Sequence, residues 1–129
     1  MSTRSVLIAG LLGIAATMPA RGETRTVLGA GVGVSCGDWS RVRLSEQRGS
    51  NNVRDLMHLH QMFAWVAGYL SGANEMSQGA DFLIERTGTS TAAFEGWIDN
   101  YCKANPLDSM AIAAAALKTD LQARSRVEK

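Results

Sequence analysis

Two histidines are the first candidates for acid–base or metal chemistry in this chain. His58 and His60 lie two residues apart, and on a helix their side chains would point about 200° away from each other, so they cannot jointly hold one metal ion. Met57 and Met62 would suit a soft copper ion, but methionine in an apolar helix more often fills the core. Asp55 could meet His58 on one helical face, yet no G-x-S-x-G nucleophile motif accompanies them. We therefore predict no metal, no cofactor and no enzymatic activity.

The glycine-rich segment and the charge balance argue against phosphate-bearing ligands. Gly29, Gly31 and Gly33 form G-x-G-x-G, but the segment lacks a strand-turn-helix context and a following Lys-Ser/Thr pair. The 129 residues carry 13 Lys and Arg against 12 Asp and Glu, a formal charge of +1, and the basic residues are scattered. A nucleic-acid-binding domain needs a basic surplus on one surface. We expect no nucleic acid as a partner.

The start of the chain has the layout of a secretory signal peptide. A positive end with Arg4 is followed by the uncharged apolar run Val6–Ala16, and small residues, Ala20 and Gly22, occupy the two positions that signal peptidases require. A membrane anchor would need roughly 20 apolar residues, about twice this run. The sequence thus predicts a signal peptide at residues 1–22 and a periplasmic or secreted protein without a membrane span after cleavage.

Export places the two cysteines, Cys36 and Cys102, in an oxidising compartment, where such a pair most simply forms a disulfide. They are the only cysteines in the chain. Closing a loop of 66 residues stabilises a small domain by about 4 kcal/mol in the chain-entropy model. The alternative, a reactive or metal-bound thiol pair, would need a C-x-x-C spacing or a second cluster of ligands.

Two segments have the apolar spacing of buried helices. Leu56–Leu70 is apolar at most positions, and a helix of this kind must be covered on nearly all sides, so we predict it as the central helix. Gly68 and Gly72, near its end, would let a neighbouring backbone approach closely. In the second segment, spacings of three and four place five side chains on one buried stripe, namely Phe94, Trp97, Ile98, Tyr101 and Cys102.

The last helix is predicted to begin at Pro106, because proline is tolerated in a first turn and Asn105 can cap it. Its apolar stripe would consist of Leu107, Met110, Ala114, Leu117 and Leu121. We expect residues 126–129 to fray.

The region before the central helix permits two interpretations. Ser35 and Asp38 form a capping box that could open a helix, whereas Arg41–Leu44 alternates like a strand. Residues 23–34 are rich in glycine and β-branched residues, which predicts a flexible N-terminal arm without a helix. The predicted fold is therefore a small all-α, disulfide-linked bundle of about four helices in a single domain at residues 35–125.

Both cysteine-bearing ends resemble the HdeA/HdeB family of periplasmic acid-stress chaperones. The resemblance rests on the run I-D-N-Y-C-K-A-N-P at residues 98–106, followed by an amphipathic helix, and on Cys36 with Trp39 nearby. It implies an HdeA-like helical architecture and the binding of client proteins after acid loosens the fold. A W-x-x-G-Y-x-x-G-x-N stretch at residues 65–74 is also similar to many small exported proteins of no assigned role. More distantly, it resembles periplasmic immunity proteins that neutralise type VI secretion effectors.

Two non-enzymatic functions follow as hypotheses. In the first, acid neutralises the carboxylates, the remaining positive charges repel one another, and the opened domain or homodimer binds clients through an apolar face. That face would include Phe94, Trp97, Ile98 and Leu117. In the second, the folded domain binds or inhibits a dedicated partner at neutral pH, as an immunity protein or an envelope-assembly component would.

Overall fold

A computed structural model describes residues 29–77, 81–83 and 90–127 of the chain. The described part contains five helices and no strand longer than a single bridge. In chain order the helices are α1 (Ala30–Gly33), α2 (Cys36–Gln47), α3 (Val53–Glu75), α4 (Thr91–Ala104) and α5 (Met110–Val127). The predicted all-α, disulfide-linked bundle is confirmed. The predicted signal peptide, residues 23–28 of the arm and the last two residues lie outside the described residues.

The capping box decides the structure of the region before the central helix. The Ser35 hydroxyl accepts a hydrogen bond from the Asp38 backbone N–H at 3.1 Å, and the Ser35 N–H donates to Asp38 Oδ2 at 3.1 Å. These two bonds satisfy N–H groups that a helix start leaves without partners. The helix α2 that follows buries Cys36, Trp39 and Val42. The strand interpretation of residues 41–44 is therefore wrong.

The long helix α3 is buried along one face rather than all round. Leu59, Met62, Val66 and Leu70 are its buried residues, at spacings of three and four. Gly68, on its exposed side, and Gly72 would each accept a β-carbon without meeting an atom within 4 Å. The prediction that this helix is covered on nearly all sides, with close backbone contact at its glycines, is wrong.

The stripe predicted for α4 is confirmed, because Ile98 and Cys102 are fully buried and Phe94, Trp97 and Tyr101 pack against the core. The start predicted for the last helix is wrong. Asn105 ends α4 by donating its N–H to the Tyr101 carbonyl oxygen at 2.9 Å, and α5 begins at Met110. Leu107 consequently leaves the stripe and is exposed, whereas the other four members, Met110, Ala114, Leu117 and Leu121, are buried.

The loop from α4 to α5 is held by the backbone that leads into α2. The Cys36 N–H donates to the Asp108 carbonyl oxygen at 2.7 Å, and the Gly37 N–H donates to that of Pro106 at 3.0 Å. Next to these bonds, Cys36 and Cys102 form the predicted disulfide, with both residues fully buried. The start of α2 is thus joined to the end of α4 covalently and through the backbone. The disulfide is compatible with an oxidising, exported compartment.

The segment before the disulfide is helical where no helix was expected. Gly29 has a φ of +104°, a conformation that favours glycine, and a β-carbon there would lie 2.7 Å from Trp65 Nε1. A β-carbon on Gly31 would overlap the six-membered ring of Trp65, whereas one on Gly33 would meet nothing within 4 Å. The glycines therefore let the single turn of α1 pack flat against an indole of α3.

Beyond α3, the chain bends at residues 82–83. Phe82 is buried, and its N–H donates to the Asn74 side-chain oxygen at 2.9 Å. The end of α3 thus positions a core side chain supplied by the link to α4.

Candidate protein-binding site

The structure brings the four predicted contact residues together between α4 and α5, but it does not expose them. Ile98 is 0% exposed and Leu117 is 1% exposed, and Phe94 and Trp97 are half-buried against the same core. A partner could reach Ile98 and Leu117 only after the helices that cover them separate.

Among the described residues, three aromatic side chains donate hydrogen bonds to carboxylates that are also described. Trp39 Nε1 donates to Asp99 Oδ1 at 2.7 Å, linking α2 to α4. The other two bonds run from Trp97 Nε1 to Asp120 Oδ2 at 2.9 Å and from the Tyr101 hydroxyl to Asp108 Oδ2 at 2.7 Å. The bond to Asp108 raises the pKa of the Tyr101 hydroxyl, because the neutral phenol is the donor. Each ring is therefore oriented by an acid on a neighbouring segment or helix.

A single guanidinium balances three carboxylates at the junction of α2 and α4. Arg43 pairs with Asp99 at 3.0 Å, with Glu46 at 2.6 Å and with Glu95 at 3.5 Å. Its side chain is 16% exposed and lies 5.9 Å from the centre of the Trp39 ring. The hydrogen bonds that Arg43 donates to Asp99 are the main cause that raises the pKa of Arg43. This half-buried cation depends on its acidic partners for compensation.

A groove of about 480 Å³ lies between α2 and α4, above the disulfide. Leu44 and Pro106 line it with Cys102, and Arg43 and Lys103 are among its charged lining residues. No local sequence pattern signals this groove, because its lining residues come from two segments that are far apart in the sequence, residues 37–47 and 99–106. Of the residues that line the groove, only Cys102 and its neighbours belong to a recognisable sequence pattern.

The histidines occupy exposed positions on α3. Within the described ranges, no three His, Cys, Asp or Glu side chains are grouped in a way that could hold a metal ion. None of the helices in the described part of the chain combines the length and the apolarity that crossing a membrane requires.

Comparison of the chain with family models, with curated proteins and with solved structures finds no match in any of the three. The resemblance to the HdeA/HdeB family thus rests on the two segments that carry it. In the structure these segments are adjacent, since Cys36 and Trp39 on α2 meet Cys102 and Asp99 on α4 through the disulfide and a hydrogen bond.

Proposed function

We propose that this chain is an exported, non-enzymatic protein-binding domain that acid opens, as a periplasmic chaperone of the HdeA/HdeB type does. The observation that carries the proposal is the set of carboxylates that hold the aromatic side chains and Arg43. Each of these contacts uses a charge that acid removes. The disulfide supports the exported location that the signal peptide predicts, because such bonds persist in oxidising compartments.

Lowering the pH weakens all of these contacts. When a carboxylate is protonated, its charge-assisted hydrogen bond or ion pair weakens. Arg43 stays charged at every accessible pH, so it becomes a half-buried cation without counter-charges. In the mature chain that removal of residues 1–22 would leave, 12 acids lose their charge while 11 Lys and Arg and two His are positive. Local loss of pairing and overall repulsion therefore both favour opening.

Separation of α4 from α5 would expose the client-binding face. Trp97 on α4 is tied to Asp120 on α5, so protonation of Asp120 weakens a direct link between these helices. Ile98 and Leu117 then become accessible from either side of the gap. The disulfide keeps the start of α2 attached to the end of α4, which limits how far the chain expands.

The test is an aggregation assay with an acid-labile protein at pH 2 to 3. Stoichiometric amounts of the oxidised domain should keep the client in solution at that pH and leave it unaffected at pH 7. Phe94→Ser should weaken the protection, whereas Met57→Ser, at an exposed position on α3, should leave it intact. Client aggregation that proceeds unchanged at pH 2 to 3 would overturn the proposal.

A folded-state binder or inhibitor, such as a periplasmic immunity protein or an envelope-assembly component, is the second candidate. The groove between α2 and α4 favours it, because that surface is open without any separation of helices. This function predicts a partner bound at pH 7 and no requirement for acid.

A further inference from the structure

The loop between α4 and α5 holds a leucine in water on a rigid backbone. Leu107 is 95% exposed. On one side of it, the Pro106 carbonyl oxygen accepts from the Gly37 N–H at 3.0 Å, and on the other, the Asp108 carbonyl oxygen accepts from the Cys36 N–H at 2.7 Å. The disulfide anchors the same Cys36. Because the loop is already ordered, it loses little backbone entropy when a partner covers Leu107.

The groove between α2 and α4 adjoins this leucine. Pro106, the residue before Leu107, lines the groove together with Leu44, which is 49% exposed. Leu107 itself does not line the groove but directly follows a residue that does, and we call the groove together with this leucine the Leu107 surface. Concave surfaces lined by apolar side chains and a few polar groups are characteristic of binding sites.

The charges on the Leu107 surface indicate the chemistry of the partner. At the α2 end, Arg43 and Asp99 are paired with each other at 3.0 Å. Lys103 also lines the groove and is exposed, and no carboxylate of the described residues lies within ion-pair distance of it. An acidic group on a partner would therefore find a cation that does not have to give up another contact.

We propose that the folded domain uses the Leu107 surface to bind, at neutral pH, a segment of another protein that carries an apolar side chain close to an Asp or Glu. The apolar side chain fills the groove beside Leu44 and Pro106, and the carboxylate pairs with Lys103. This function goes beyond acid-opened client binding, since it needs the closed bundle. It deepens the second candidate function by naming the surface and the class of partner, and it rests on that candidate.

The proposal is tested by selecting displayed random peptides against the oxidised domain at pH 7 and measuring their affinities as free labelled peptides by fluorescence polarisation. The selected peptides should combine a leucine, isoleucine or phenylalanine with an acidic residue. Leu107→Asp, which places a carboxylate beside the groove, should weaken the binding of these acidic peptides by about tenfold or more. Val53→Asp is the matched control, since Val53 is a 68% exposed apolar residue at the start of α3, and it should leave affinity unchanged.

A charge reversal separates specific recognition from simple stickiness. Lys103→Glu should weaken the acidic peptides and, in a fresh selection, favour peptides with Lys or Arg in place of the acid. Leu107 is exposed in a loop, so Leu107→Asp should keep the thermal unfolding midpoint of the parent domain. Lys103 is exposed in the last turn of α4, where a cation is favoured, so Lys103→Glu should lower the midpoint only slightly.

Three results would overturn the proposal. The first is selected peptides without an acidic residue, and the second is binding that Leu107→Asp and Lys103→Glu leave intact. The third is a dimer in sedimentation equilibrium that Leu107→Asp dissociates, because a second copy would then cover the surface. None of these results bears on client protection at pH 2 to 3, so the acid-opened function stands or falls separately.

Discussion

Replacing Asp99 by Asn tests whether a carboxylate charge holds α2 and α4 together. Asp99 accepts from Trp39 Nε1 at 2.7 Å and from Arg43 Nη2 at 3.0 Å. The carboxamide of asparagine keeps one oxygen for one of these donors but loses the charge. A hydrogen bond to a charged group contributes about 1.5–3 kcal/mol. Since Arg43 retains Glu46 and Glu95, we expect Asp99→Asn to lower the free energy of unfolding by about 2 kcal/mol at pH 7.

Urea and thermal unfolding of the oxidised domain measure this loss. For a domain of this size, about 2 kcal/mol lowers the thermal midpoint by on the order of 10 °C. The difference between variant and parent should shrink as the pH falls to 2, because acid removes the carboxylate charges on which the parent depends. Glu75→Gln makes the same charge change at an exposed position on α3 and should cost less than about 0.5 kcal/mol.

Two outcomes would refute this reasoning. An Asp99→Asn variant as stable as the parent at pH 7 would show that the network around Arg43 contributes nothing. A loss of equal size at pH 7 and pH 2 would show that the side chain matters for its shape and not for its charge.

Three further changes have defined outcomes in urea unfolding. Gly31→Ala should lower the free energy of unfolding by about 1–3 kcal/mol, because the added methyl group overlaps the indole that Gly31 faces. Gly33→Ala in the same turn should be neutral or slightly stabilising. Equal effects of the two substitutions would contradict the packing of α1. Hydrogen bonds from the hydroxyl and N–H of the helix-capping serine hold the pKa of Asp38 below 3.8, so its stabilisation is present above that pH and is lost as the pH falls below it. Asp38→Asn should therefore cost about 1 kcal/mol at pH 7 and almost nothing at pH 2, and a cost independent of pH would refute this. Replacing Cys36 and Cys102 together by Ala should cost about 4 kcal/mol, and a variant as stable as the parent would contradict the role of the disulfide.

Local sequence signals predicted a helix correctly where residues near its own end satisfy the backbone hydrogen-bonding groups of that end. The capping box at Ser35 and Asp38 is a complete local signal, and α2 follows it. Asn105 and Pro106 carry an equally familiar helix-start pattern, yet there the chain forms a loop. The Pro106 carbonyl oxygen accepts a hydrogen bond from Gly37, far away in the sequence, and such long-range pairing is not visible in a local pattern.

The candidate site was predictable only in part for the same reason. Spacing placed Phe94, Trp97 and Ile98 on one stripe, and the structure has them there. The bond between Trp39 and Asp99 joins residues 60 positions apart, and either side chain could equally have faced solvent. Pairing of aromatic donors with acids depends on how the helices pack, which the periodicity of each helix leaves open.

Amide hydrogen exchange at single-residue resolution, at pH 7 and pH 2.5, tests acid opening most directly. After correction for intrinsic exchange rates, the account predicts that amides around Ile98 in α4 and Leu117 in α5 are protected at pH 7 and lose that protection at pH 2.5 while the disulfide stays intact. Protection that persists in both helices at pH 2.5 would contradict it.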